Sequence, residues 1–259
     1  MRFDRNVYLK QLINKRDNSL IKVIIGARRS GKSYLMNTIF YEYLLEEGIN
    51  KDNIIRFAFD NDEHIDLLDK YYPNEDTKIY VKADIYTINS KKFRSYIKDV
   101  TNDKDKFVLL LDEIQILDSF VGTLNGLMSH ENFDIYVTGS NSRLLSSEIE
   151  TKFRGRKSSI HVLPLSFSEL MTGLNMSVNE AWNKYIVTGG IPIVYKQVEE
   201  DRMEYLKKLC EEMYLKDIIG RKGVKDIDTL SNLFGVLASC VGTGISPSSL
   251  EKTFKSEKK

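Results

Sequence analysis

Cysteine, proline, histidine and tryptophan are all scarce in this chain of 259 residues, with 2 Cys, 4 Pro, 3 His and 1 Trp. Cys210 and Cys240 lie far apart in segments of helical spacing, so no disulfide framework or cysteine metal site is expected, and both read as buried free thiols. With so little proline and no repeat or low-complexity tract, the chain is expected to pack its parts together instead of tethering them by a long linker. No apolar run is long enough to span a bilayer. The opening Met1-Arg2-Phe3-Asp4-Arg5 also lacks the apolar core of a signal peptide, and a cytoplasmic protein with no membrane partner is expected. Charge of one sign is missing too. The 38 Lys and Arg balance 37 Asp and Glu, which excludes coating nucleic acid through overall charge but leaves a local basic patch open. The lysine-rich stretch Glu251 to Lys259 reads as a solvated helix or a boundary.

What is present is an ordinary globular composition, 42% hydrophobic and 29% charged, together with one informative loop. Gly26-Ala27-Arg28-Arg29-Ser30-Gly31-Lys32-Ser33 spells G-x-x-x-x-G-K-S. A loop wrapped around a pyrophosphate must point successive backbone N–H groups inward while turning sharply into a helix, and glycines at both ends of it allow that. Lys32 would reach the β- and γ-phosphates and the Ser33 hydroxyl would bind Mg²⁺. A helix begun at Lys32 and Tyr34 adds its positive end. The flanks agree with this reading. Leu20 to Ile25 reads as a buried parallel strand, and Tyr34 to Glu46 as a helix with Leu35, Ile39, Tyr43 and Leu44 near i, i+4 spacing.

Further along, Asn53 to Phe59 is a second strand, followed by Asp60-Asn61-Asp62-Glu63, which fits either a metal site or an acidic helix N-terminus. Asp76 to Ile88 alternates as strands do, and Ser90 to Val100 has an amphipathic helical pattern. Phe107 to Leu111 is a continuous apolar run that delivers Asp112 and Glu113 to a strand end, where open α/β sheets bind ligands. Asp112 suits a role in holding Mg²⁺ and Glu113 one in polarising an attacking water. A phosphotransferase must instead exclude water, so Glu113 favours an ATPase. The distance in sequence from the loop to Asp112 leaves room for an extra strand between them.

Helix Phe120 to Met128 and strand Phe133 to Val137 come next, closing on Thr138-Gly139-Ser140-Asn141. Ser140 and Asn141 would hydrogen-bond the γ-phosphate or the water, or cap the following helix. Arg154-Gly155-Arg156 offers an arginine to phosphate in cis or to a neighbouring subunit, in competition with Arg143 and the pair Arg28-Arg29. A last strand is expected at Ser158 to Leu163. Strand and helix alternate throughout, which predicts an α/β fold with a doubly wound parallel sheet. After Ser166 the pattern turns helical, at Ser166 to Met171, Asn179 to Val187, Arg202 to Ile219 and Ile227 to Val241, interrupted by Gly189-Gly190-Ile191-Pro192.

These motifs in this order, with Leu111-Asp112-Glu113-Ile114-Gln115 and Leu163-Pro164-Leu165-Ser166-Phe167-Ser168-Glu169, resemble the AAA+ ATPases of bacteria and archaea that carry a double arginine in the P-loop. That group is related to the STAND and Cdc6/Orc-like ATPases. The resemblance runs from about Arg5 to Glu251. It implies a P-loop NTPase of the additional-strand type, with an ATPase core at residues 1–165, a helical lid-like part at 166–225 and the start of a winged helix at 226–259. It makes Asp112 and Glu113 the Walker B pair and Ser140 or Asn141 the sensor-1 residue. Arg156, before Arg154, becomes the arginine finger, and Pro192 lies against the adenine unless it only starts a turn. Adenine is preferred over guanine on the same ground, and no N-K-x-D motif is present. Members continue into a further domain, so a shortened chain is expected. The implied activity is Mg²⁺-dependent hydrolysis of ATP to ADP and phosphate, run as a nucleotide-driven switch, with self-association and a DNA or protein partner through the C-terminal part. A DNA-binding ATPase using the winged-helix segment and a small-molecule phosphotransferase stand as alternatives.

Overall fold

The structure is a computed structural model, and it describes residues 2–82, 85–139, 153, 155–211 and 227–257. Two compact units divide it, Met1–Lys196 and Gln197–Lys259. The first is built on five parallel strands: β1 (Ile21–Ile25), β2 (Ile54–Ala58), β5 (Phe107–Asp112), β6 (Phe133–Thr138) and β7 (Lys157–His161), in the order β2-β5-β6-β1-β7. Every pairing in this sheet is parallel. A parallel sheet is covered on both faces, which is why β1 and β5 are buried along their whole length and read as continuous apolar runs. The period of two then assigns side chains to two cores. Leu109 and Leu111 join Val23, Ile135 and Val137 on one face, while Val108 and Leu110 join Ile24, Tyr136 and Ile160 on the other.

Helices α5 (Ser90–Val100) and α6 (Phe120–Met128) cover the first face through Phe93, Ile97 and Leu124. The second face is covered by α1 (Asn6–Asn14) and by the helix that leaves the glycine loop. That helix opens as α2 (Lys32–Tyr34), passes through a π-helical segment Leu35–Phe40 and ends as α3 (Tyr41–Glu46). A π turn shifts the buried stripe, so Met36 and Phe40 share the core with the expected Leu35, Ile39 and Leu44, and Tyr43 lies at its margin. The extra strand between the loop and the acid pair is β6. It comes from later in the chain than both.

Within the stretch from Asp76 to Ile88, residues Lys78–Lys82 and Ile85–Ile88 form strands as expected, but apart from the main sheet. β3 (Lys78–Lys82) and β4 (Ile85–Ile88) make a separate antiparallel hairpin. The acidic stretch before it belongs to a helix start: Asn61 Oδ1 accepts from the Glu63 N–H at 2.8 Å and caps α4 (Asp62–Asp66), while Asp62 pairs with Lys78 at 2.7 Å. No group of three or more His, Cys, Asp or Glu side chains able to hold a metal ion occurs among the described residues.

Two capping boxes, Ser166 with Glu169 and Ser177 with Glu180, start α7 (Phe167–Leu174) and α8 (Val178–Thr188). Arg5, buried and left-handed in backbone, donates to the Leu163 carbonyl and pairs with Glu169 at 3.4 Å, which clips the start of the chain to this segment.

The second unit contains α9 (Arg202–Leu209), α10 (Ile227–Ser239) and α11 (Pro247–Glu257). Of the helix expected over Arg202 to Ile219, the part beyond residue 211 lies outside the described residues. Both cysteines are free thiols, but neither is buried as expected. Cys210 and Cys240 directly follow α9 and α10, and each is half-buried. No helix among the described residues is long and apolar enough to cross a membrane.

Candidate functional site

The glycine loop lies at the carboxyl end of β1 and is held close to its neighbours. The chain leaving β7 runs beside it, with the Val162 N–H donating to the Ile25 carbonyl at 2.7 Å. A Cβ on Gly26 would stand 2.1 Å from the Val162 oxygen, so only glycine fits there. Gly31 takes φ +95 and Arg29, though not a glycine, φ +61. Alternation of this kind aims backbone N–H groups into a concavity suited to an anion. Ser30 is fully buried under the loop and its Oγ has no hydrogen-bond partner among the described residues.

Lys32 starts the helix and folds back across the loop. Its Nζ donates to the carbonyls of Gly26 at 3.1 Å and Ala27 at 2.9 Å. Burial lowers the affinity of this amine for its proton, while the carboxylates of Glu113 and Asp112 raise it. The next residue, Ser33, donates from Oγ to Asp112 Oδ1 at 3.0 Å, and Asn37, one turn on, donates from Nδ2 to Asp112 Oδ2 at 3.0 Å. A third donor to Asp112 is the buried Thr138 hydroxyl at the end of β6, which in turn accepts the Glu113 N–H at 3.1 Å. Burial pushes the Asp112 carboxyl above its ordinary range, and the Thr138 and Ser33 bonds oppose that rise. Glu113 is also pushed up by burial, against a hydrogen bond from Gln115.

The end of β2 completes this edge. Phe59 N–H donates to the Asp112 carbonyl at 3.1 Å, and Ala58 N–H donates to His64 Nδ1 at 2.8 Å. Burial holds His64 below its usual range, consistent with a neutral ring whose Nδ1 accepts. Asp60, just beyond, adds negative charge that pushes both Asp112 and Glu113 upward.

The structure thus brings together Gly26, Ala27, Ser30, Gly31, Lys32, Ser33, Asp112 and Glu113. Pro192 joins them from far along the chain: its Cγ lies 3.8 Å from where a Cβ of Gly31 would be. Arg28 and Arg29 are exposed on the loop, and Tyr34 faces outward near Arg2. Arg156 is not at this edge. It sits at the amino end of β7, its carbonyl accepting from the Ile21 N–H at 3.0 Å. From there to the loop is the length of the strand, about 15 Å at about 3.3 Å per residue. Ser140, Asn141, Arg143 and Arg154 lie outside the described residues.

Three residues at the site had no role of their own in the sequence reading, Asn37, Thr138 and Gln115, and Asp60 had only the shared one of its acidic stretch. Asn37 was accessible from its i+4 spacing to Ser33. Thr138 needed the strand register, in which Leu111 pairs with Val137 and places Asp112 beside Thr138. Gln115 was legible only as the last residue of the Leu111-Asp112-Glu113-Ile114-Gln115 motif, and Asp60 only as part of an acidic stretch.

The chain matches two family models, an AAA domain over residues 18–171 and a domain of unknown function over residues 179–259. It is 33% identical to an uncharacterized protein of Haemophilus influenzae, over 98% of this chain and 60% of that protein. A second uncharacterized protein, from Methanocaldococcus jannaschii, is 30% identical over 94% of this chain and 51% of its own length. The chain therefore spans little more than half the length of these relatives. Among solved structures, yeast Hsp104 in complex with casein aligns at 17% identity and TM-score 0.45, over 66% of this chain and 28% of that one. The Aeropyrum pernix ORC1 protein in complex with DNA aligns at 10% identity and TM-score 0.44, over 71% and 50%. The AAA-domain match covers more than half of the chain and every strand-borne residue of the site, so the chain belongs to the AAA domain family of P-loop ATPases.

Proposed function

We propose that this site binds ATP with Mg²⁺ and hydrolyses it to ADP and phosphate, and that the protein works as a nucleotide-driven switch. The observation that carries the reading is the convergence of Ser33, Asn37 and Thr138 on Asp112, beside the Lys32 amine at the mouth of the loop. The residues suit the ligands. The loop supplies left-handed turns at Arg29 and Gly31 and an orphaned Ser30 hydroxyl, and Ser33 with Asp112 is an all-oxygen pair of the kind a hard divalent ion takes. When bound, Mg²⁺ neutralises charge on the phosphates. Lys32, released from its carbonyls, would do the same from the other side. Glu113 accepts the proton of the attacking water, and a carboxyl raised by burial is a better base near neutrality than an ordinary one. The adenine would lie towards Pro192, and the preference for adenine itself comes from the family resemblance.

The switch reading rests on the path of the chain after β7. Helices α7 and α8 leave the sheet at Leu165 and return through Gly190, whose carbonyl accepts the Leu165 N–H at 2.7 Å, so that Pro192 reaches Gly31. Occupancy of the loop is thereby felt at the foot of both helices. Arg156, remote from its own loop and exposed, would serve a neighbouring copy, which makes self-association part of the reading. Phosphate release by wild type, Lys32→Ala and Glu113→Gln tests the enzyme. Glu113→Gln is expected to lose about 100-fold or more in rate while still binding Mg·ATP, and equal rates in all three would refute hydrolysis. Unchanged hydrogen exchange over residues 165–196 between ADP and ATP states would refute the switch.

A further inference from the structure

Gln115 lies outside the glycine loop and the acid pair, yet its side chain reaches back to the site. Its Nε2 donates to Oε2 of Glu113, two residues earlier. The backbone makes this contact: β5 ends at Asp112, and Glu113 takes the left-handed values φ 54 and ψ 44 before the 3-10 turn Ile114–Ile116. A non-glycine residue adopts that conformation at some cost, and such strain persists where the surroundings impose it. Here they do. Ile114 and Leu117 are buried on either side of Gln115, the Leu117 N–H donates to the Ile114 carbonyl at 3.0 Å, and the Asp118 N–H donates to the Ile88 carbonyl at 2.8 Å. Gln115 therefore stands on a fixed base.

Glu113 is gripped at two points, its N–H by Thr138 and its carboxylate by Gln115. The grip stands next to Asp112, whose carboxylate accepts from the Ser33 hydroxyl of the glycine loop at 3.0 Å. We propose that Gln115 is a positioning residue for hydrolysis, fixing the carboxylate of Glu113 in the orientation that meets the attacking water. This rests on the ATPase reading above.

The test is steady-state phosphate release with Gln115→Leu and the near-isosteric Gln115→Glu, alongside equilibrium binding of Mg·ATP. Both variants should lose about 10- to 100-fold in kcat, the effect of removing one hydrogen bond to a charged group, with KM and Mg·ATP affinity within about twofold of wild type. In a Glu113→Gln background, adding Gln115→Leu should change kcat less than about twofold, since Gln115 acts through Glu113. If Gln115→Leu fails to fold, Gln115→Glu carries the same comparison with side-chain size preserved. A wild-type rate well above that of Glu113→Gln, with the Gln115 variants unchanged or their losses independent of Glu113, overturns this proposal alone. A wild-type rate equal to that of Glu113→Gln removes the ATPase reading and this proposal with it.

Discussion

Thr138→Val isolates the contact that joins the two acids. The side chain is fully buried and valine reproduces its shape, so packing changes little while two hydrogen bonds disappear. One is donated to the Asp112 carboxylate, and a bond to a charged group contributes about 1.5 to 3 kcal/mol. The other accepts the Glu113 N–H at 3.1 Å, a neutral bond of about 1 kcal/mol. Together the substitution should cost about 2 to 4 kcal/mol, a sizeable part of the 5 to 15 kcal/mol typical of a folded domain. Urea unfolding followed by far-UV circular dichroism, with EDTA and no nucleotide, measures it. The pH dependence has a definite sign. Burial lifts the folded pKa of Asp112 above the ordinary 3.8, and the Thr138 bond resists that lift. A folded state that holds a proton more tightly than the unfolded state gains stability as pH falls through the raised folded value and loses it as pH rises. Removing Thr138 lifts that value further, so the deficit of Thr138→Val should be largest at pH 8 and shrink as pH falls towards 3.8. A deficit below about 0.5 kcal/mol at pH 8 would contradict those hydrogen-bond magnitudes, and one that grows on acidification would reverse the argument.

Beneath the sheet, Lys22 and Asp134 form a buried ion pair, with the Tyr136 hydroxyl donating to Asp134 at 3.0 Å. Asp134→Leu strands the lysine and should cost about 3 to 5 kcal/mol, while Lys22→Met with Asp134→Leu should recover most of it; urea unfolding showing equal losses would disprove the pairing argument. Gly26→Ala places a methyl group 2.1 Å from the Val162 oxygen, and should abolish the rise in melting temperature that Mg·ATP gives wild type. An undiminished rise would mean that the loop does not need that close approach. Arg156→Ala mixed with Lys32→Ala should hydrolyse ATP faster than either alone, because an intact loop and an intact arginine then meet across subunits. A mixture running at the average of its components would remove the role in trans.

The strands were legible because burial on both faces leaves no room for polar residues, and Phe107 to Leu111 is the clearest case. Their order was not. β6 enters between β1 and β5 from later in the chain, and the hairpin Lys78–Lys82 with Ile85–Ile88 leaves the main sheet, although its alternation looks like that of any other strand pair. Non-local pairing decides both, and a local pattern carries no trace of it. Arg156 shows the same limit at a site: an arginine before a strand reads like one near phosphate until the strand's direction is known.

The acid pair makes the sharpest case, because the local rule points the wrong way there. Adjacent residues of an extended strand face opposite sides, so Asp112 and Glu113 continued straight from β5 would not share a ligand. The chain resolves this by ending the strand at Asp112 and turning Glu113 into the left-handed region, after which both carboxylates act on Lys32. The residues on the C-terminal side of the turn hold it in place, with Ile114 and Leu117 driven into the core and Gln115 left bridging back to Glu113. The apolar residues after the acids are therefore part of the site: Ile114 and Leu117 carry no chemistry, yet the geometry of Glu113 depends on their burial.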